Sequence, residues 1–413
     1  MNIVLLSRYF PPEIGTAANL FFELARALNK NGHSVTVVTG FPWYNLREIP
    51  NKYKKKFFMM ENGDGFKVIR IKSPICGPIK LKLAYGHLTA PLCSIIGGLM
   101  PRNIDVVYIY SPPLFMGISG WTISLFKNVP FIMGVQDLHP QCYIDQGVLK
   151  NKLLIKILEG IEKFCYKTAS YITVHSEGNK AHIVKFKNVP SRKVQVLPNW
   201  IDTDELVPLP RSNWFSEKYN LDGKFVVGYA GTLGMSQGLL SIIDAAELLK
   251  DNKDILFFIV GDGIEKSTML ERANKKGLNN IRFLPMQPKE VYPWVLAASD
   301  VQLVTLNKRV KTPVVPSKIL SIMAAGRPLI GSMPLEGDAP RLIKEANCGL
   351  CVGPESGPEI AKAVLELKNN HDLREELSTS GRSYVVENLS LKKLVSRLEE
   401  IFERAIEQKQ KKI

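Results

Sequence analysis

Along the first two hundred residues, short apolar runs alternate with stretches whose apolar positions recur every three or four residues. "NIVLL" at 2–6, "SVTVV" at 34–38, "FKVIRI" at 66–71, "DVVYIY" at 105–110, "PFIMGV" at 130–135 and "YITV" at 171–174 read as buried strands. Between them, Leu20, Leu24 and Leu28 give one helical face near 16–29, which Asn31-Gly32 ends. Leu154, Leu158, Ile161 and Cys165 give another. The stretch 198–222, rich in Pro, Asn and Asp, reads as a linker. The alternation then restarts with "KFVVGYAG", "ILFFIVGDG", "IRFL", "VQLV", "PLIG" and "GLCV", each followed by a helical period. This order is that of two α/β domains, each a doubly wound, Rossmann-like parallel sheet, over 1–197 and 223–390. Residues 391–413 form a strongly amphipathic helix with a basic end. Two such domains predict a central ligand cleft at the carboxyl ends of the strands.

Charge changes the picture in one half only. Residues 1–200 hold 25 Lys and Arg against 11 Asp and Glu, whereas residues 201–413 hold 29 against 28. Positions 48–82 alone carry nine basic and three acidic residues, including "KYKKKFF" from Lys52 to Phe58. A patch of this kind attracts polyanions, and the expected one is an anionic membrane surface. The apolar, glycine-rich stretch 83–101 contains two Pro and three Gly, and 106–126 is broken by "SPP", so neither reads as a transmembrane helix. "MNIVLLSRYFPP" reads as a strand entering a loop rather than a secretion signal. Six cysteines, at 76, 93, 142, 165, 348 and 351, are too scattered for a disulfide framework, and reduced thiols in a cytoplasmic protein are expected. "CGLC" at 348–351 lacks the second pair that a zinc site needs.

The candidate chemistry sits in loops after strands. Gly15 and Thr16 precede the first helix; Gly231 and Gly234 follow "VVGYA"; Gly261 and Gly263 follow "FFIV". Glycine permits close backbone approach to an anion, and a helix start supplies free N–H donors. None of these loops matches GxGxxG or GxxxxGK[ST], which argues against a dinucleotide or a P-loop triphosphate. In "PVVPSKILSIMAAGRPLIGS" (313–332), Pro316-Ser317 start a short helix that Gly326 ends, so Lys318 falls in the first turn. A cation is disfavoured there unless an anion is brought to it. Three glycine loops and this lysine point to a diphosphate. Nucleic-acid binding would account for the charge but not for these loops, and is not expected.

"RYFPPEIGTAA", "SPPLFMGISG", "VQDLHP", "VLPNWID", "YAGTLGMSQGLLSIIDAA", "VGDGIEK", "ASDVQLVTL", "VPSKILSIMAAGRPLI" and "CGLCV" resemble glycosyltransferase family 4 in order and spacing, and more narrowly its fucosaminyltransferase-like branch of bacterial surface-polysaccharide synthesis. The resemblance spans nearly the whole chain. It implies a GT-B fold with acceptor on the first domain, nucleotide-sugar donor on the second, and the last helix crossing back to the first. It also implies retention of anomeric configuration and no metal or other cofactor. The expected donor is a UDP-sugar carrying a hexose or an N-acetylated deoxyhexosamine, with GDP as second choice. The expected acceptor is a polyprenyl-diphosphate-linked glycan, reached from the inner face of the cell membrane.

Several positions depart from the family pattern. The usual arginine and lysine that hold the diphosphate are Thr232 and Gln237, which leaves Lys318, the Gly231–Leu233 backbone and the Gly15–Thr16 helix start. The usual glutamate pair corresponds to Pro313 and Ser321, so sugar contacts are expected from Glu336 or Asp338. Met286 and Ser317, with Gly261 and Gly263, complete the expected donor set. The usual first-domain histidine matches Gln136, and the neighbouring Asp137 becomes the candidate catalytic carboxylate, with His139 as rival. Asp202 and Asp204 form a DxD inside the linker and read as turn chemistry rather than a metal site. A nucleotide-sugar 2-epimerase on the same fold is the alternative function.

Overall fold

The computed structural model describes residues 1–13, 15–43, 46, 48–73, 79–145, 147–311 and 313–411, with backbone alone for 79–85 and 87. Cys76 and the side chains of Lys80 and Lys82 therefore lie outside the described residues. Packing divides the chain into two units, one comprising Met1–Trp200 with Leu391–Ile413 and the other Ile201–Ser390.

In the first unit, the described strands are β1 (Asn2–Leu6), β2 (Ser34–Gly40), β3 (Phe58–Asn62), β4 (Lys67–Ile71), β5 (Val106–Ser111), β6 (Phe131–Val135), β7 (Tyr171–Val174) and β8 (Val194–Val196). They form one sheet in the order β3-β4-β2-β1-β5-β6-β7-β8. Val4 of β1 faces Thr36 on one side and Val107 on the other, and pairing is parallel throughout except between β3 and β4. The winding reverses between β1 and β5, so the loops after these two strands splay apart there, as ligand-binding loops of doubly wound sheets do. Helix Thr16–Lys30 buries Leu20, Leu24 and Leu28, as its period predicts. Helix Leu391–Gln410 buries Leu394, Leu398, Phe402 and Ala405 against this same unit, with the Phe402 ring 5.7 Å from Tyr108. One fully buried phenylalanine contributes about 1.5–3 kcal/mol.

Three features depart from the hydrophobic pattern. β3 is an antiparallel edge strand with no buried residue, and its short apolar run Phe58–Met60 directly follows a basic stretch. Residues Ile79–Leu99 form one helix through Pro91. Its glycines are packing positions: a Cβ at Gly97 would lie 2.5 Å from Val38, and one at Gly98 would lie 2.3 Å from Ile123. Helix Lys152–Thr168 buries Cys165 but leaves Leu154 43% exposed, so its apolar face exceeds what the core covers. No described helix is long and apolar enough to cross a membrane.

The second unit holds β9 (Phe225–Ala230), β10 (Ile255–Val260), β11 (Ile281–Leu284), β12 (Val301–Thr305), β13 (Leu329–Ser332) and β14 (Gly349–Val352), all paired in parallel in the order β11-β10-β9-β12-β13-β14. Here the winding reverses between β9 and β12. Val227, Tyr229, Phe257, Ile259 and Leu303 lie in the core on which helices Leu240–Leu248 and Gly357–Asn369 pack. Residues 201–222 belong to this unit and include helix Trp214–Lys218, whose buried Phe215 rests 6.1 Å from the Phe258 ring. Asp202 Oδ1 accepts the amides of Asp204 and Glu205, both at 3.1 Å, a side-chain-closed turn.

Candidate active site

The two segments at the winding reversal of the second sheet build the site. β9 runs into Gly231, and β12 leads through 306–316 to helix Ser317–Ala324, which starts at Pro316. Lys318 occupies its first turn. The side chain folds back so that Nζ lies 4.0 Å from the centre of the Tyr229 ring and donates to the Tyr229 hydroxyl. That hydroxyl in turn donates to the carbonyl of Thr232 at 2.9 Å. A Cβ on Gly231, which adopts φ 140°, would lie 2.4 Å from Lys318 Cε, so the glycine opens the channel through which the lysine reaches the loop. No carboxylate pairs with the ammonium among the described residues, and burial pushes its pKa down to about 7.

The glycines at 261 and 263 are required for packing between loops. A Cβ at Gly261 would fall 1.9 Å from the Gly231 carbonyl, and one at Gly263 would fall 2.2 Å from the Leu233 carbonyl. The loops after β9 and β10 therefore lie backbone against backbone, and Leu233 N donates to Asp262 O at 2.9 Å. The glycines hold the 231–233 strand end in place. Gln237 Oε1 accepts the Gly234 amide at 3.1 Å and so fixes the loop, while Thr232 is exposed. Met286 donates its amide to Asp262 Oδ2 at 2.8 Å.

Ser317 and Ser321 share the lysine's helix. Ser321 is bonded to Tyr292, whose phenol burial pushes up to about 12. Asp338 begins helix Asp338–Glu345 after β13; it is buried, with Oδ1 3.5 Å from Arg341 and Oδ2 without a partner. Glu336, two residues earlier, is exposed.

Gly15, Thr16, Asp137 and His139 belong to the first unit. Gly15 is extended, caps helix Thr16–Lys30, and has nothing within 4 Å of where a Cβ would stand, so that helix start is open. Asp137 follows β6 and keeps solvent access, yet the surrounding protein raises its carboxyl pKa by desolvation. Its charge acts on the buried Tyr110 phenol of β5 and on the Cys142 thiol, raising both. His139 is buried with its ring 4.6 Å from Tyr143, edge to face. Asp137 is therefore the more accessible of the two. Among the described residues, no group of three or more His, Cys, Asp or Glu could hold a metal ion. The thiols of Cys348 and Cys351 are pushed up to about 12 and about 11 by burial, which disfavours thiolate chemistry.

The chain matches two glycosyltransferase families in tandem: Glycosyltransferase Family 4 over residues 17–205 and Glycosyl transferases group 1 over residues 211–384. The chain is a family 4 glycosyltransferase. It is 24% identical to WcaI of Escherichia coli K12, named for glycosyl transfer in colanic acid biosynthesis, over 91% of this chain and 95% of that protein. It is 25% identical to an Escherichia coli UDP-Gal:alpha-D-GlcNAc-diphosphoundecaprenol alpha-1,3-galactosyltransferase, over 75% of this chain and 78% of that one. Among solved structures, Anabaena HepE in complex with UDP aligns with a TM-score of 0.74 at 15% identity, covering 98% of this chain and all of that one. Two Rossmann-like units of this kind make the transferase a member of the GT-B class.

The candidate site includes two residues that sequence alone did not single out, Tyr229 beside Lys318 and Tyr292 beside Ser321. Tyr229 sits in a run that reads as core, and only its place two residues before Gly231 hints at more. Tyr292 gives no signal beyond a helix start. The Lys318 environment generates a pH-dependent prediction. With a folded pKa near 7 and an unfolded one near 10.5, the penalty for burying the ammonium is complete below pH 7 and fades as pH rises towards 10.5. Lys318→Met should raise the melting temperature of the second unit by several degrees at pH 6 and by much less at pH 10. Calorimetric scans across that range test this; equal shifts at both pH values would show that the ammonium is not desolvated.

Proposed function

We propose that the transferase moves a sugar from a UDP-sugar, with retention of configuration, onto a lipid-linked glycan acceptor during synthesis of a surface polysaccharide such as capsule or O-antigen. The observation that carries this reading is Lys318: an unpaired, partly desolvated ammonium at a helix start, beside a backbone loop held by Gly261 and Gly263. As the bond from anomeric carbon to diphosphate breaks, negative charge grows on the leaving oxygen. The ammonium, the first-turn amides and the Thr232 amide stabilise it. The unpartnered Asp338 Oδ2 accepts a hydroxyl of the donor sugar, with Glu336 as the second acceptor. Asp137 takes the proton of the attacking hydroxyl or stabilises positive charge on the sugar ring. UDP as donor nucleotide draws support from HepE, solved with UDP, and the lipid diphosphate acceptor from the galactosyltransferase relative. The reported relatives are transferases, which disfavours the 2-epimerase alternative.

Membrane docking has two supports. The first two hundred residues carry the basic excess noted above. Along and just beyond helix Ile79–Leu99, Leu88, Leu92, Ile96 and Met100 recur every four residues and are all exposed, with Trp121 and Leu125 exposed on the neighbouring helix Met116–Lys127. An apolar stripe beside basic side chains suits the inner leaflet of an anionic bilayer.

Incubation with UDP-sugars and a polyprenyl-diphosphate-linked sugar tests the reaction. The product should keep the donor's anomeric configuration by NMR. Asp137→Asn should lower kcat by about 10²–10⁴ with the fold intact. Conversion of a UDP-sugar to its epimer without acceptor would contradict transfer. For docking, sedimentation with phosphatidylglycerol vesicles should fall with added salt and fall further in Leu92→Asp/Ile96→Asp; binding indifferent to both would exclude this face.

A further inference from the structure

Beyond the ends of β1, β2 and β4, the first unit encloses a cavity of about 330 Å³. This lies at the small end of the range for ligand pockets, about 300–1,000 Å³. Arg8, in the loop after β1, lines it and is only 4% exposed, yet its Nε and Nη2 have no hydrogen-bond partner among the described residues. Ser73, just after β4, also lines it, is 6% exposed, and its Oγ has no partner among them either. Buried donors normally find acceptors within the fold. Here two of them share one cavity without doing so.

The surroundings fix the guanidinium in this state. It lies against the Tyr9 and Trp43 rings at 5.5 and 5.4 Å, which holds its plane. On another side, a Cβ at Gly86 would come within 2.2 Å of Nη2, so glycine is what lets the helix pass. The nearby acceptors serve a second arginine. Arg70 donates to the carbonyls of Gly40 and Pro11 and to the Glu61 carboxylate, and lies 5.0 Å from the Tyr53 ring, a wall of the same cavity. Four further cations line the opening: Lys54, Lys55, Lys56 and Lys72. Of these, Lys54 pairs with Glu48 at 3.0 Å. The balance stays positive.

We infer that this cavity is an anion subsite that takes the phosphate or diphosphate group of the acceptor, with Arg8 and Ser73 as donors at its floor and the lysines at its mouth. The inference rests on the lipid-linked acceptor proposed above and gives that acceptor's charged joint a place. Planar guanidinium donors suit phosphate oxygens, and the aromatic walls of Phe41, Trp43 and Tyr53 suit the sugar or isoprenoid carbons that flank them. The cavity has the size for the charged joint rather than for a whole oligosaccharide.

The test uses the full chain saturated with UDP, titrated with inorganic pyrophosphate, with geranyl diphosphate and with phosphatidylglycerol vesicles. Three proteins are compared: wild type, Arg8→Met, and Lys55→Glu/Lys56→Glu, whose exposed positions leave folding untouched. Both diphosphates should bind the wild type and weaken at least tenfold in each variant, while UDP affinity and the vesicle binding of Arg8→Met stay unchanged. Diphosphate binding that is equal in all three proteins would overturn the inference. So would an Arg8→Met protein that keeps the diphosphates and loses the vesicles, since the site would then read lipid headgroups. Failure of the transfer reading looks different: the wild type would bind geranyl diphosphate but neither UDP nor any UDP-sugar.

Discussion

An ammonium in the first turn of a helix meets the positive end of the backbone dipoles, and burial removes the water that would otherwise stabilise it. Lys318 bears both costs and, among the described residues, has no carboxylate to offset them. Its ammonium donates to the Tyr229 phenol, and the ring face below it returns part of the lost solvation as a cation–π interaction. Such an arrangement becomes favourable when an anion with more than one negative charge enters. The surrounding chain is organised around that requirement: Gly231 leaves room for the aliphatic stem, and Tyr229 orients the ammonium towards the loop after β9.

The same constraint explains why the glycines of the second unit cluster where they do. In a doubly wound sheet the loops after neighbouring strands must pass close to one another at the winding reversal. Gly261 and Gly263 permit the loops after β9 and β10 to touch through their main chains, which fixes the 231–233 backbone, its Gly231 and Leu233 amides bonded to the Val260 and Asp262 carbonyls, without a side chain between them. Gln237 closes the loop from the other side. A preorganised set of amides costs little reorganisation when charge develops, which is where such sites derive most of their effect. In the first unit the corresponding loops carry a buried arginine in place of a buried lysine, so both sheets place cationic groups beyond their strand ends.

Legibility in the sequence followed the physics of burial. In the second unit β9, β10, β12 and β13 are almost wholly buried runs bounded by glycine or polar turns, β11 and β14 are short, mostly apolar runs, and helix Ser317–Ala324 is entered through Pro316 and Ser317, so both strands and lysine could be placed. β3 could not, because its short apolar run Phe58–Met60 lies on a sheet edge without burial and merges into the basic stretch before it. Helix Ile79–Leu99 was hidden for the opposite reason: apolar nearly all round, with Pro91 and three glycines, it has no helical period to detect. Single-residue roles were harder still. Tyr229 looks like any core aromatic until Lys318 is seen above it. Gly261 and Gly263 look like anion-loop glycines, and only the coordinates show their close approach to the carbonyls of Gly231 and Leu233. Arg8 is one basic residue among many until its missing partners are counted. At Gln237, where the family pattern has a cation, the loop keeps its shape through a glutamine-to-amide bond.

The central claim is that the Lys318 ammonium receives the diphosphate of the donor. At pH 8 the free protein holds this group mostly neutral, since its pKa lies at about 7. Binding of UDP must restore the charge. Titration calorimetry of the wild-type protein with UDP at pH 8, in buffers of different ionisation enthalpy, measures protons taken up on binding. The account predicts an uptake approaching one proton per UDP, absent in Lys318→Met. Binding without proton uptake, with the same affinity in both proteins, would contradict it.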